Sequence, residues 1–194
     1  MKWTALVLAG GDSLRMKEEK AFLRFEGKSL LERTLDLLKP LFHEVKIIAR
    51  RPNKFHGFSV PLLVDLFPEG GPMAGIYTGL MKSSGPVFAV AVDMPYLNPD
   101  LIRFLREKSS GYDAALFRSP DGLHPLHAVY HQTVLPAMEN AIMKGEYKMM
   151  NLFKKIKTLE IKTEEVRSLD PLMRGLTNIN TPEDFKKLLD EKND

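Results

Sequence analysis

A chain of 194 residues, 44% hydrophobic and 27% charged, can bury a real core and has the balance of an ordinary globular protein, so a single domain over 1–194 is expected. It contains no cysteine, which excludes disulfides, thiolate metal ligands and cysteine nucleophiles. The formal net charge of +3 is scattered except over 148–157, no apolar run reaches membrane-spanning length and no leader precedes the first strand, so a cytoplasmic protein with no nucleic-acid and no membrane partner is expected.

The apolar run 5–9 is too short for a helix and predicts a strand buried on both faces, broken at Gly10-Gly11. In the glycine-rich loop that follows, bare backbone can approach an anion, its N–H groups can form a nest, and Arg15 and Lys20 bring positive charge. That combination suits a polyphosphate. It is not a P-loop, because Gly27-Lys28-Ser29 has Phe22 where that motif needs its first glycine, and G-x-G-x-x-G is absent.

Ser29-Leu30-Leu31-Glu32 reads as a capping box, starting a helix whose inner face is Leu31, Leu35 and Leu38 and which Pro40 stops. Residues 45–49 and 60–64 predict two further strands, the first followed by Arg50-Arg51-Pro52 and the second ending in Asp65. Gly70 to Gly75 opens a helix with Met73, Ile76, Tyr77, Leu80 and Met81 on one face. The run 87–92 is the most apolar strand, hence central, and it terminates in Asp93-Met94-Pro95. Asn98 and Pro99 cap and start a helix through Leu101, Ile102 and Leu105.

The second half is less regular. Strands are predicted at 112–117 and 127–131 around a turn-rich loop at 119–125, helices at 133–144 and 147–155, and a short strand at 158–161. Thr181 caps a last helix with Pro182 at its first position and Phe185, Leu188 and Leu189 turned inward. The pattern is that of an α/β fold, a Rossmann-like, mostly parallel sheet flanked by helices.

Ligands of such sheets sit beyond the carboxyl ends of the strands, where strand order reverses. The Gly10-Gly11 loop, Asp65 and Asp93 all fall at such ends. A carboxylate beside a triphosphate suits Mg²⁺, which takes one or two carboxylates with substrate phosphates and water. Asp before Met-Pro is also a good turn initiator, Asp65 could be a solvated loop acid, and Arg15 and Lys20 could be solvated surface charges. Position after the most buried strand favours Asp93 as the metal ligand. A zinc reading of His124, His127 and His131 is weaker, since a strand puts only His127 and His131 on one face.

Leu8-Ala9-Gly10-Gly11-x-Ser13-x-Arg15-Met16, with Lys20 four residues on, resembles the signature of nucleotidyltransferases that move NMP from an NTP onto a metabolite. Within them it is most similar to the molybdenum cofactor guanylyltransferases of the MobA type, whose usual Gly and Asp are replaced here by Lys17 and Glu19. Asp93-Met94-Pro95-Tyr96-Leu97 resembles that family's metal-binding strand end, Gly71 to Ile76 its second glycine stretch, His124-Pro125-Leu126 a segment near its acceptor site, and Asn178-Ile179-Asn180-Thr181-Pro182-Glu183 its terminal motif.

The resemblance implies a fold of the nucleotide-diphospho-sugar transferase kind, with a nucleotide-binding half at about 1–108 and an acceptor-binding half at about 109–194. It implies Leu8, Ala9, Gly10, Gly11, Lys20, Asp65, Gly75 and Asp93 as nucleotide-binding and Asn178 and Asn180 as holding the acceptor. Arg15, Lys20 and Asp93 carry catalysis, Asp93 as ligand of a Mg²⁺ cofactor.

The implied partners are GTP, molybdopterin as molybdenum cofactor, and cofactor-handover proteins, with pyrophosphate released. A phosphate monoester is largely a dianion at neutral pH, so no general base and no protein nucleophile is needed. Two alternatives stay open: a sister enzyme using CTP or UTP with a pterin, alcohol phosphate or sugar phosphate, and a catalytically silent nucleotide-binding module.

Overall fold

The computed structural model describes residues 2–9 and 20–190. The glycine loop with Gly10, Gly11 and Arg15 lies outside the described residues.

Four parallel strands form one side of a seven-stranded sheet: β1 (Thr4–Leu8), β4 (Glu44–Ala49), β5 (Leu62–Val64) and β6 (Val87–Ala91). Between β1 and β4 come a short hairpin, β2 (Arg24–Phe25) with β3 (Lys28–Ser29), and helix α1 (Leu30–Leu38). The hairpin turns through Glu26 and Gly27, at φ 54° and 79°, which is the doubly left-handed geometry of the tight turn that matches strand twist. At the start of α1, Ser29 accepts from the Glu32 N–H (3.2 Å) while the Glu32 carboxylate accepts from the Ser29 N–H (2.7 Å), so the capping box forms as predicted.

Helix α2 (Gly71–Met81) leads into β6, and α3 (Pro99–Lys108), capped by Asn98, follows it. Strands β7 (Ala114–Ser119) and β8 (Gly122–Tyr130), helices α4 (Leu135–Met143) and α5 (Met149–Phe153), strand β9 (Thr158–Lys162) and helix α6 (Pro182–Asp190) complete the order. Across the sheet the strands run β5-β4-β1-β6-β8-β7-β9, with β8 antiparallel to both its neighbours and β9 parallel to β7. Sheet order therefore reverses between β1 and β6.

Both faces of the central strands are covered, so nearly every residue is apolar and alternate ones serve opposite layers. Ala5, Val7, Phe88 and Val90 pack with Leu31, Leu35 and Leu38 of α1 and Leu101, Ile102 and Leu105 of α3. Leu6, Val87 and Ala89 pack with Met73, Ile76 and Leu80 of α2 and Met138 and Ile142 of α4. Burying a side chain such as Phe88 is worth about 1.5–3 kcal/mol. Helix α2 lies close on β1: a Cβ at Gly75 would come 3.2 Å from Leu8 Cδ2, and one at Gly79 would run into Leu6.

Three details depart from expectation. Met81 and Leu189, read as inward, are exposed, because each ends its helix beyond the sheet or core it packs on. The loop expected at 119–125 is mostly strand: β8 starts at Gly122 and runs through Pro125. Pairing shifts from Leu116↔Ala128 to Arg118↔Leu123, and Pro125 falls in that irregular stretch, where no ladder N–H is demanded of it. The Pro125 carbonyl accepts instead from the buried Tyr130 hydroxyl (2.7 Å).

Candidate active site

The carboxyl end of β1 leaves the sheet between its two neighbours. The Ala9 N–H donates to Ile48 O on the β4 side (2.9 Å), and the Val92 N–H donates to Leu8 O from the β6 side (3.3 Å). Leu8 and Ala9 thus stand at the point where strand order reverses, with Asp93 one residue past Val92. Burial of β6 on both faces helps fix Asp93 at its end: a slip that drew the acid into the strand would bury its charge in the apolar sheet.

The short 3₁₀ turn Lys20–Phe22 brings Lys20 back to this edge. Its Nζ lies 2.6 Å from Asp93 Oδ2, with the two side chains 17% and 14% exposed, and 3.4 Å from Asn180 Oδ1. Residues 73 and 160 positions from Lys20 therefore meet on one ammonium. Asp93 Oδ1 is buried and has no hydrogen-bond partner among the described residues. An unbonded buried carboxylate oxygen costs free energy unless something binds it.

Asn180 reaches this place through a backbone tie. The Ile179 N–H donates to the Asp93 carbonyl (2.8 Å), and the Ile179 side chain is buried against Leu23, Phe25, Leu30 and Leu188. The N–H groups of Asn180 and Thr181 both donate to the Asp184 carboxylate (2.9 Å each), which holds its pKa below the usual carboxylate range, and the Asp184 N–H returns a bond to Thr181 Oγ1. The terminal motif is thus a helix cap that also delivers Asn180. Asn178 is exposed.

Further upstream, the Asp170 carboxylate accepts from the Gly175 N–H (2.7 Å) and the Asn98 amide donates to Leu169 O (3.0 Å), fastening this return segment over the start of α3. Sequence reading missed Asp170, because its close approach to Gly175, where a Cβ would come 2.9 Å from Asp170 Oδ2, shows only in the folded chain.

Asp65 stands at the same edge of the sheet but faces inward. Its carboxylate accepts from the Phe67 N–H (3.0 Å) and the Thr78 hydroxyl (3.5 Å), and Thr78 Oγ1 in turn accepts from the Leu66 N–H (3.1 Å). Burial raises the Asp65 pKa, against the lowering effect of the Phe67 N–H and the charge of Arg50. It is therefore not a solvated loop acid. Gly75 sits buried on the sheet beneath Leu8 rather than at a surface.

The three histidines do not converge. His124 bonds Ser119, His131 bonds Ser109, and His127 is enclosed by the rings of Phe88 and Phe117. Burial pushes the His127 pKa down to about 3. Among the described residues no three His, Cys, Asp or Glu gather as a metal cage. A single strand-end acid with one oxygen unbonded among the described residues still fits Mg²⁺, which relies on substrate phosphates and water for its other ligands.

Comparison with known proteins bears on the family and the fold. The family described as MobA-like NTP transferase domain matches residues 5–161. A protein of Methanosarcina mazei named "Probable molybdenum cofactor guanylyltransferase" is 37% identical, over 96% of this chain and 89% of its own length. A molybdenum cofactor guanylyltransferase of Syntrophotalea carbinolica is 31% identical, over 95% and 89%. The crystal structure of molybdopterin-guanine dinucleotide biosynthesis protein A from Archaeoglobus fulgidus superposes with a TM-score of 0.87 at 26% identity, covering 98% of each chain.

Proposed function

The chain belongs to the MobA-like NTP transferase family, and on that premise we propose that it transfers GMP from GTP to the molybdopterin of the molybdenum cofactor, releasing pyrophosphate. The observation that carries the reading is the meeting of Lys20, Asp93 and Asn180 where the sheet changes order.

A terminal phosphate oxygen of the acceptor attacks the α-phosphorus of GTP. A new P–O bond forms, the bond to the bridging oxygen breaks, and the electron pair leaves with pyrophosphate. The attacking monoester is already ionised, so the protein need not remove a proton. Its tasks are alignment and charge neutralisation.

Lys20 supplies a fixed positive charge to the α-phosphate and leaving group, Arg15 adds to it, and the N–H groups of the Gly10-Gly11 loop bind phosphate oxygens. Asp93 would hold Mg²⁺ through the oxygen left unbonded, and the ion supplies Lewis-acid polarisation of the phosphates. Asp65 shapes the nucleotide pocket by fixing the turn after β5, and Gly75 acts by letting Leu8 sit low enough to leave room at the end of β1. Asn178 and Asn180 face the acceptor. The product is expected to pass to cofactor-handover proteins in the cytoplasm; among the described residues no helix is long and apolar enough to cross a membrane.

The test is pyrophosphate release with GTP, Mg²⁺ and molybdenum cofactor, repeated with CTP and UTP. Turnover with GTP alone supports the reading. Turnover with CTP or UTP in preference, or none with any of the three, overturns it.

A further inference from the structure

A cation already occupies one oxygen of the Asp93 carboxylate, and it belongs to the protein. Lys20 Nζ is 2.6 Å from Oδ2, while Oδ1 is buried and has no partner among the described residues. The same ammonium has a second oxygen within reach, Asn180 Oδ1 at 3.4 Å. The Ile179 N–H bond to the Asp93 carbonyl and the Asp184 bonds to the Asn180 and Thr181 N–H groups hold that second oxygen on rigid backbone.

We propose that Lys20 is the resident counter-ion of Asp93, which yields the carboxylate when a divalent cation binds, and that Asn180 is a positioning residue that receives the displaced ammonium. The proposal rests on the preceding reading only in assigning a divalent cation to Asp93. A carboxylate shared by a lysine and a divalent ion holds two positive charges a few ångströms apart, which disfavours either one staying. The lysine can leave, because its ammonium is a compact charge on a flexible four-carbon stem.

Exchange has a directional consequence. Swinging from Asp93 to Asn180 replaces a charged acceptor by a neutral one, so the ammonium gives up its neutralising partner when the metal arrives. Its charge then becomes available to phosphate. Before that moment neither the carboxylate nor the ammonium stands unpaired in a half-buried site, where an unpaired charge is costly. Asn180 so links the acceptor side of the site to the metal side.

The experiment is Mn²⁺ binding followed by EPR with no nucleotide and no acceptor, on the full-length wild type, Lys20→Met, Asn180→Ala, Asn180→Asp and Asp93→Asn. Removing the competing ammonium should tighten Mn²⁺ binding by Lys20→Met on the order of tenfold, whereas Asp93→Asn should lose the site. Asn180→Ala should weaken binding about threefold because the displaced ammonium lacks its landing oxygen, and Asn180→Asp should restore it.

Lys20→Met binding Mn²⁺ no tighter than wild type overturns the exchange, and equal affinity in Asn180→Ala overturns the part given to Asn180. Should Lys20→Met not fold, acetylation of Lys20 in the wild type, read by mass spectrometry, decides: its rate should rise with Mg²⁺, and a rate indifferent to Mg²⁺ overturns the proposal. None of these readouts involves GMP transfer, so failure of the guanylyltransferase reading would show separately in the pyrophosphate assay.

Discussion

Strands β5 and β6 both end on the same edge of the sheet and both hand over to an aspartate, yet the two acids live in opposite chemistry. Asp65 Oδ1 accepts from the Phe67 N–H of its own turn and from the Thr78 hydroxyl of α2, and burial raises the Asp65 pKa. Asp93 meets a lysine and has one oxygen without a partner among the described residues. Place in the fold is shared, and the partners differ. The partner decides the role: Asp65 Oδ1 takes neutral donors from its own turn and from α2, whereas Asp93 takes a lysine ammonium brought from a distant segment, which sets it beside charge.

The largest effect should follow from Asp93→Asn. The substitution keeps the backbone carbonyl that anchors Ile179 and removes the charge, so the protein should fold normally by circular dichroism. GMP transfer should fall on the order of 10²–10³-fold, because the substitution would remove the ligand that holds the metal ion neutralising the phosphates. Activity within tenfold of wild type would erase the contrast between the two acids.

A second effect separates the site from the core beneath it. His127 lies opposite Val90 of β6, with both ring nitrogens lacking partners among the described residues and its folded pKa held at about 3 by burial. The ordinary unfolded value is about 6.5, so between these two limits the unfolded chain binds a proton that the folded chain refuses. Stability is therefore full above the unfolded pKa and falls as pH drops below it, by about 2 kcal/mol at pH 5. Urea unfolding at pH 7.5 and pH 5 should show this loss in wild type and lose most of it in His127→Leu. An equal acid loss in both would place the sensitivity elsewhere.

This contrast also marks what the sequence made legible. Burial of the first strand on both faces, the Ser29 and Asn98 caps and the central place of the run 87–92 follow from short-range rules, and the structure has them. Asp93 and Lys20 were readable as candidates because one ends the most apolar strand and the other follows a glycine loop. Their contact was not readable, since it joins residues 73 positions apart through a short 3₁₀ turn, Lys20–Phe22, that carries no periodic signal in the sequence. The β7–β8 hairpin was misjudged because turn-forming residues and Pro125 mimic a loop when a three-residue register shift absorbs them. The inward turn of Asp65 depended on Thr78, a polar residue in an otherwise apolar helix that gave no sign of its partner.

The smallest effects test whether Asp65 is structural in the way its bonds suggest. Asp65→Ala leaves the Phe67 N–H without its acceptor in a half-buried turn, which should cost about 1–2 kcal/mol in urea unfolding and raise the KM for GTP more than it lowers kcat. Asp65→Asn retains an oxygen in the same place and removes the charge that burial penalises. Because the folded pKa is raised, the aspartate contributes more to stability when protonated, and that benefit is lost as pH rises through the folded value. Asparagine should therefore match or exceed wild-type stability at pH 7.5, by less than about 1 kcal/mol, with the gain fading towards pH 4. Were Asp65→Asn instead to destabilise as much as Asp65→Ala, the negative charge itself would be the working feature of Asp65, and the distinction between the two strand ends would fail.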